Sequence, residues 1–355
     1  MNIAFVLPPI SNNPCGGYKI VYEYANRFTA RGHQVMIIYD GRYSAKRWWI
    51  PEIVRRQIAG YLGDKRIKKY PTWFQLDSQI KKISSPNAKL IDLSNVDAII
   101  ATAYGTAELV ANTNVCNKLY FIQDFEAWNG ITEEQVMASY CLGMKNVVIT
   151  KWLGDIVDKV TAPKKSFLVP NGINDKIFNI DREIITRREH SLSMLYHIGP
   201  YKGTQYGIQA IEILKKIYPD LKATLFGVPS RPSDLPDWIE YVQNATELQL
   251  RKIYNQSAVY IYPTIEEGLG LTCLEAMICG AALCVTNYKG AQEFAVHNKN
   301  ALISPIRDVQ AMVDNVSYLF ENQEERTRIA VNGHNDILDY RWDKSVDKFL
   351  EVIQK

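Results

Sequence analysis

At 355 residues and 47% hydrophobic composition, the chain can bury ordinary cores and is long enough for two domains, which excludes disorder as a whole-chain description. Its 41 Lys+Arg against 38 Asp+Glu leave a net charge of +3, too little for nucleic acid as the main partner, since phosphate-backbone binding needs a dense basic face. The longest apolar runs, at residues 1–10 and 281–285, fall far short of the roughly 20 residues that span a bilayer.

The first strand is predicted over residues 3–7. MNIAFVLPPI has neither the basic start nor the small-residue cleavage site of a signal peptide, so a cytoplasmic location is expected. A Pro/Asn/Gly loop then leads into a segment in which Ile20, Val21, Tyr24, Ala25 and Phe28 keep helical spacing. Gly32 stands where a left-handed residue closes a helix, and residues 34–39 read as the strand that completes a βαβ unit. Further strands are predicted at 98–102, 118–122, 147–150 and 167–169, with helices between them. After PNGIN at 170–174 and a charged stretch through Arg188, strands resume at 193–198, 222–226, 258–262, 282–285 and 301–303, again alternating with helices. The last segment, 342–353, is an amphipathic helix with no strand after it.

This alternation predicts an α/β fold of two doubly wound, Rossmann-like domains facing across a cleft, with ligands at the carboxyl ends of the strands. The expected divisions are 1–170, 171–338 and a C-terminal helix at 339–355 that packs back onto the first domain. Cys15, Cys116, Cys141, Cys273, Cys279 and Cys284 contain no CxxC pair, and His33, His190, His197, His297 and His334 show no metal-ligand spacing. Reduced, mostly buried thiols and no metal are expected. The absence of GxSxG, a Walker loop and HExxH argues against hydrolase, P-loop and zincin readings, and NNPCGGYK does not supply the GxGxxG of a dehydrogenase.

The most informative stretch is YPTIEEGLGLTCLEAMICGAALCVT, where Glu267 and Glu275 stand eight apart around Gly268, Leu269, Gly270 and Leu271. A Gly-rich turn opening a helix near Leu271 presents free N–H groups and the positive end of the dipole, which suits a diphosphate. Glu275, about one turn in, would then accept from ribose hydroxyls while Glu267 faces a sugar; ordinary acidic residues at a helix start are the alternative. A second stretch, 42–70, interleaves Arg42, Lys46, Arg47, Arg55, Arg56, Lys65, Arg66, Lys68 and Lys69 with Trp48, Trp49 and aliphatics. That composition fits an anionic membrane surface or, equally, a solvated basic face over a buried Trp pair.

EGLGLTCLEAMICGAALCVT resembles the Glu-x7-Glu signature of family-4 retaining glycosyltransferases of the GT-B fold. ELQLRKIYNQSAVYIYPTIEEG, GGYKIVYEYANRFTARGHQV and PNGI at 170–173 resemble that family's preceding helix and strand, first Gly-rich loop and interdomain segment. The resemblance implies transfer of a sugar from a nucleotide-sugar donor to a glycan or lipid-linked acceptor without metal. It implies that Glu275 holds the donor ribose, that Glu267 contacts the sugar, and that Gly16 and Gly17 bring backbone amides to the diphosphate.

HIGPYKGTQYGIQAI is similar to a family segment reading Gly-Arg, spacer, Lys-Gly. Lys202 and Gly203 match the Lys-Gly, but no Arg follows Gly199, and Arg231 is the candidate substitute. YFIQDFEAWNG carries Gln123 and Asp124 where many members have a His, and looks more like a rhamnosyltransferase-type branch. Asp124 therefore joins Lys202 and Glu267 as a candidate catalytic residue, with a solvated acidic loop at Asp124 and Glu126 as the alternative. Rival functions are a catalytically silent glycan-binding or scaffold subunit and a same-fold sugar-nucleotide epimerase.

Overall fold

A computed structural model, describing residues 1–41, 67, 69–85, 91–128 and 130–355, divides the chain into two compact units. The first comprises Met1–Pro170 with Ser345–Lys355, and the second Asn171–Lys344. Apart from Lys69 and a few neighbours, the basic, Trp-containing stretch at 42–70 lies outside the described residues.

The first unit is a parallel sheet of β1 (Asn2–Leu7), β2 (Gln34–Asp40), β3 (Lys81–Ser85), β4 (Ala98–Ala101), β5 (Asn117–Ile122), β6 (Lys145–Val148) and β7 (Phe167–Leu168). Their order is β3-β2-β1-β4-β5-β6-β7, so the chain reverses its direction of winding between β1 and β4. Ile3, Ala4, Phe5, Val6 and Leu7 of the central strand are all buried. A central strand covered on both faces has no wet side, and its sequence is accordingly a continuous apolar run.

Helix α1 (Gly16–Ala30) buries Ile20, Val21, Tyr24, Ala25 and Phe28, the residues that kept helical spacing. It ends at Gly32, φ +81°, with Gly32 N–H donating to Thr29 O at 2.9 Å and His33 N–H to Phe28 O at 3.1 Å. This left-handed closure satisfies carbonyls that the helix leaves open. Helices α2 (Tyr104–Ala111), α3 (Glu133–Tyr140) and α4 (Lys151–Thr161) connect the remaining strands.

The second unit repeats the architecture with β8 (Ser191–Leu195), α5 (Thr204–Ile217), β9 (Lys222–Gly227), β10 (Glu240–Gln243), α6 (Glu247–Gln256), β11 (Val259–Tyr262), α7 (Leu271–Ile278), β12 (Ala282–Thr286) and β13 (Ala301–Ser304). The strands are parallel, in the order β10-β9-β8-β11-β12-β13. Helices α8 (Val309–Glu321) and α9 (Gln323–Ile337) complete it, and α10 (Trp342–Gln354) runs into the first unit from Ser345.

The sequence patterns pass over β3 and β10 for one reason. KKISS and EYVQ are short, polar edge strands, and an edge strand need not carry the apolar run that marks an interior one. The expectation of mostly buried thiols needs correction: Cys273, Cys279 and Cys284 are buried, but Cys15, Cys116 and Cys141 are exposed. They lie at a helix start, a strand approach and a helix end, where no packing demands burial.

The C-terminal helix is integral to the first unit's core. Phe349 is fully buried, with its ring 4.8 Å from Tyr24, 5.1 Å from Phe121 and 5.8 Å from Phe28. Asn117 Nδ2 donates to Ile353 O at 2.6 Å, and Arg31 pairs with Asp347. Removing a buried aromatic ring typically costs about 3–5 kcal/mol, so Phe349→Ala should lower the unfolding free energy of this unit by that amount. Urea denaturation followed by tryptophan fluorescence measures it, and a loss below about 1 kcal/mol would contradict this packing role.

Candidate active site

The second unit gathers its polar side chains on loops after the carboxyl ends of β8 and β11. Tyr201 O accepts from Ile265 N–H at 2.8 Å and Glu266 N–H at 3.2 Å, so one carbonyl ties the two loops together. Gly203 has φ +61°, and a Cβ there would stand 2.1 Å from Pro263 O. Neither the backbone angle nor the space admits another residue easily. The lock brings together two residues singled out from sequence: Lys202 Nζ forms an ion pair with Glu267 Oε2, and Tyr262 Oη donates to the same oxygen at 2.5 Å.

The turn between Glu267 and α7 is equally constrained. A Cβ on Gly290 would lie 2.7 Å from both Glu267 O and Gly268 O, and one on Gly270, φ +96°, would lie 2.2 Å from Tyr288 Oη. That hydroxyl donates to Leu269 O at 2.9 Å. The helix begins at Leu271 with Gly270 as its N-cap, which has no side chain to satisfy the first N–H groups. Glu275 sits in the second turn, buried, and accepts from Tyr254 Oη at 3.2 Å. Burial, and secondarily the Glu275 charge, push the Tyr254 phenol far above its ordinary range, so Tyr254 remains a donor.

Arg231 has a different task from the one expected. Its guanidinium donates to Ile239 O at 2.8 Å, Leu235 O at 3.0 Å and Pro236 O at 2.8 Å, closing its own loop. Three carbonyls satisfy most of the fork, so the geometry gives Arg231 a structural role.

His197, which shows no metal-ligand spacing in the sequence, belongs to the Lys202 loop. Its Nδ1 accepts from Gly199 N–H at 2.9 Å, and its backbone carbonyl accepts from Thr204 Oγ1 at 2.7 Å. Burial, reinforced by the Lys202 charge, lowers its pKa, which favours the neutral ring.

In the first unit, Gly16 and Gly17 open α1, whose N-cap Cys15 makes no side-chain capping bond. Gly17 O accepts from Gln123 Nε2 at 3.3 Å, and a Cβ on Gly17 would meet Gln123 Nε2 at 3.5 Å, an ordinary contact. Packing against Gln123 therefore does not require glycine there.

Asp124 Oδ1 accepts from Phe125 N–H at 2.9 Å. Glu126 Oε1 accepts from Tyr104 N–H at 3.0 Å and so caps α2, whose N-cap Ala103 offers no side-chain oxygen. Glu126 is not the solvated acid of the alternative reading. Burial, with a smaller contribution from the Asp124 charge and opposed by the Tyr104 amide, pushes its carboxyl up to about 7.

A carboxyl raised in the folded state binds a proton there before it does in the unfolded chain. Its stabilising contribution is complete below the unfolded value of 4.5 and is lost as pH rises to about 7. Glu126→Gln should flatten stability across that window, and the wild-type-minus-variant difference should change by at most about 3 kcal/mol. Chemical denaturation at pH 5 and pH 7.5 tests this; a parallel offset at both pH values would contradict it.

Among the described residues, no group of three His, Cys, Asp or Glu side chains could hold a metal ion, and no helix is long and apolar enough to cross a membrane.

The model of the family Glycosyl transferases group 1 matches residues 178–336, inside the second unit. The capsular polysaccharide biosynthesis glycosyltransferase CapM of Staphylococcus aureus is 23% identical over 209 residues, covering 55% of this chain and 54% of the relative. The chain spans about half the length of the curated relatives it matches. Among solved structures, HepE from Anabaena in complex with UDP-glucose superposes with a TM-score of 0.77 at 13% identity, covering 100% of this chain and 99% of that one. Sucrose-phosphate synthase from Thermosynechococcus elongatus gives 0.75 at 14% identity, covering 99% and 98%. The fold is GT-B, two Rossmann-like domains.

Proposed function

We propose that this chain is a retaining glycosyltransferase that moves a hexose or 6-deoxyhexose from a nucleotide-sugar donor to a growing polysaccharide or lipid-linked glycan. The observation that carries the reading is the locked Lys202–Glu267 pair beside the glycine-capped start of α7, with buried Glu275 one turn further. The group 1 match over the second unit and the polysaccharide role in CapM's name support it.

In the proposed step the bond between the sugar C1 and the diphosphate oxygen breaks, and its electron pair leaves with the diphosphate. An acceptor hydroxyl oxygen forms the new bond to C1 on the same face, and its proton passes to the departing phosphate oxygen. Lys202 and the α7 dipole meet charge that grows in the transition state, so the step calls for no metal ion. Glu267, once Lys202 turns to the diphosphate, accepts from a sugar hydroxyl, and Glu275 accepts from the ribose. In the first unit, Asp124 is the acid offered to an acceptor. Gln123 in place of a family His favours a donor such as a rhamnose nucleotide, which has no C6 hydroxyl to bind.

The basic, Trp-containing sequence at 42–70 fits an acceptor presented at an anionic lipid surface at the inner face of the membrane. A silent glycan-binding module is the rival reading. Incubation with a panel of nucleotide sugars separates them: release of nucleoside diphosphate, with the anomeric configuration of the product read by NMR, supports transfer, while sugar binding without release supports the module.

Lys202→Ala should lower turnover much more than donor affinity, because the cation acts where charge develops. Glu275→Gln should instead weaken donor binding, since a hydrogen bond to a charged acceptor contributes about 1.5–3 kcal/mol. Steady-state kinetics with calorimetric donor affinities distinguish the two, and wild-type donor affinity in Glu275→Gln would remove Glu275 from the donor site.

A further inference from the structure

The loop after β8 leaves one well-defined hydrogen-bond donor unused. Gly199 N–H donates to His197 Nδ1 at 2.9 Å, so Nδ1 carries no proton and the proton of the neutral ring is on Nε2. Nε2 has no hydrogen-bond partner among the described residues and is not sealed from solvent.

The ring is held on several sides. A Cβ on Gly199 would stand 2.9 Å from Nδ1 and 2.6 Å from the Tyr201 ring, so the glycine lets both rings close over the turn. The His197 and Tyr201 ring centroids are 5.7 Å apart, and Thr204 Oγ1 accepts from His197 N–H while donating to His197 O. Lys202, three residues after Gly199, lies close enough for its charge to act on the imidazole. The loop then enters the N-terminus of the 14-residue helix α5.

We infer that His197 is a further donor-binding residue, its Nε2–H donating to a diphosphate oxygen beside Lys202. This rests on the proposed glycosyltransferase reading and adds to it a second diphosphate contact on the Lys202 loop. It also fixes the chemistry. The second contact comes from a neutral ring donor in a fixed tautomer, and Lys202 supplies the positive side-chain charge of the loop.

The test uses the chain with its own loop geometry preserved. An Asn side-chain oxygen can replace Nδ1 as acceptor from Gly199 but does not reach the Nε2 position, whereas a Gln amide places a donor near it. Calorimetric titrations with the mono- and diphosphates of uridine, thymidine, guanosine and adenosine would be run on wild type, His197→Asn and His197→Gln. For the diphosphate that wild type binds, His197→Asn should raise Kd about ten- to a hundredfold, as loss of one hydrogen bond to a charged acceptor implies, and His197→Gln less than threefold. Monophosphate affinity should change less than diphosphate affinity.

Wild-type diphosphate affinity in His197→Asn, or equal losses for mono- and diphosphate, would overturn the inference and leave the proposed function standing. Failure of wild type to bind any of the diphosphates would overturn both. A second measurement needs no variant: in protein isotope-labelled at the histidine nitrogens, the Nε2 resonance of His197 should shift on diphosphate addition while Nδ1 stays unprotonated. An unmoved Nε2 would equally overturn it.

Discussion

The second unit's polar site depends on one carbonyl. Tyr201 O receives the N–H groups of Ile265 and Glu266, and this fixes two loops that are more than 60 residues apart in sequence. Without that tie, Lys202 and Glu267 would sit on independent loops, and holding their charged ends together would cost the conformational entropy of both. The glycines follow from the same constraint. Gly203 lets the first loop approach Pro263, Gly290 backs the second, and Gly270 lets the turn pass Tyr288 into α7. A rigid strand-end scaffold can therefore present short loops whose geometry hardly needs to change on binding.

The charge arrangement is self-consistent without a ligand. The side chains of Lys202 and Glu267 are 13% and 20% exposed, a depth at which an isolated charge would be costly, and each neutralises the other. Tyr262 gives the carboxylate a second donor, so in the proposed donor complex Glu267 would keep a partner with Lys202 turned to the diphosphate. Glu275 is buried and accepts from a phenol held firmly protonated. The two glutamates of one motif thus differ in setting: Glu267 is paired with a lysine at a partly exposed loop, and Glu275 is buried with a tyrosine hydroxyl donating to it.

The interior strands were legible because a buried parallel strand must be apolar along its whole length, and the helix ending at Gly32 because a left-handed residue favours glycine. Glu267, Glu275 and Lys202 were legible as a spaced motif. What the sequence withheld depends on tertiary placement. Arg231 reads as a loop cation until three carbonyls are found around it, and Glu126 reads as a solvated acid until it is found capping α2 from another loop. His197 carried no signal through metal spacing, because its significance comes from a tautomer set by the Gly199 amide.

That tautomer bears on how the proposed leaving group is held. Two cations would stabilise a departing diphosphate more strongly than one, but they would also hold the released nucleotide more strongly, since the same Coulomb attraction acts on transition state and product. With Lys202 as the loop's cation and a neutral imidazole beside it, part of that attraction becomes a directional hydrogen bond of smaller magnitude. Directionality favours the orientation of the leaving phosphate over the strength of its retention. In the proposed donor complex the loop would accordingly trade some electrostatic stabilisation for easier product departure, a useful exchange where release can limit turnover.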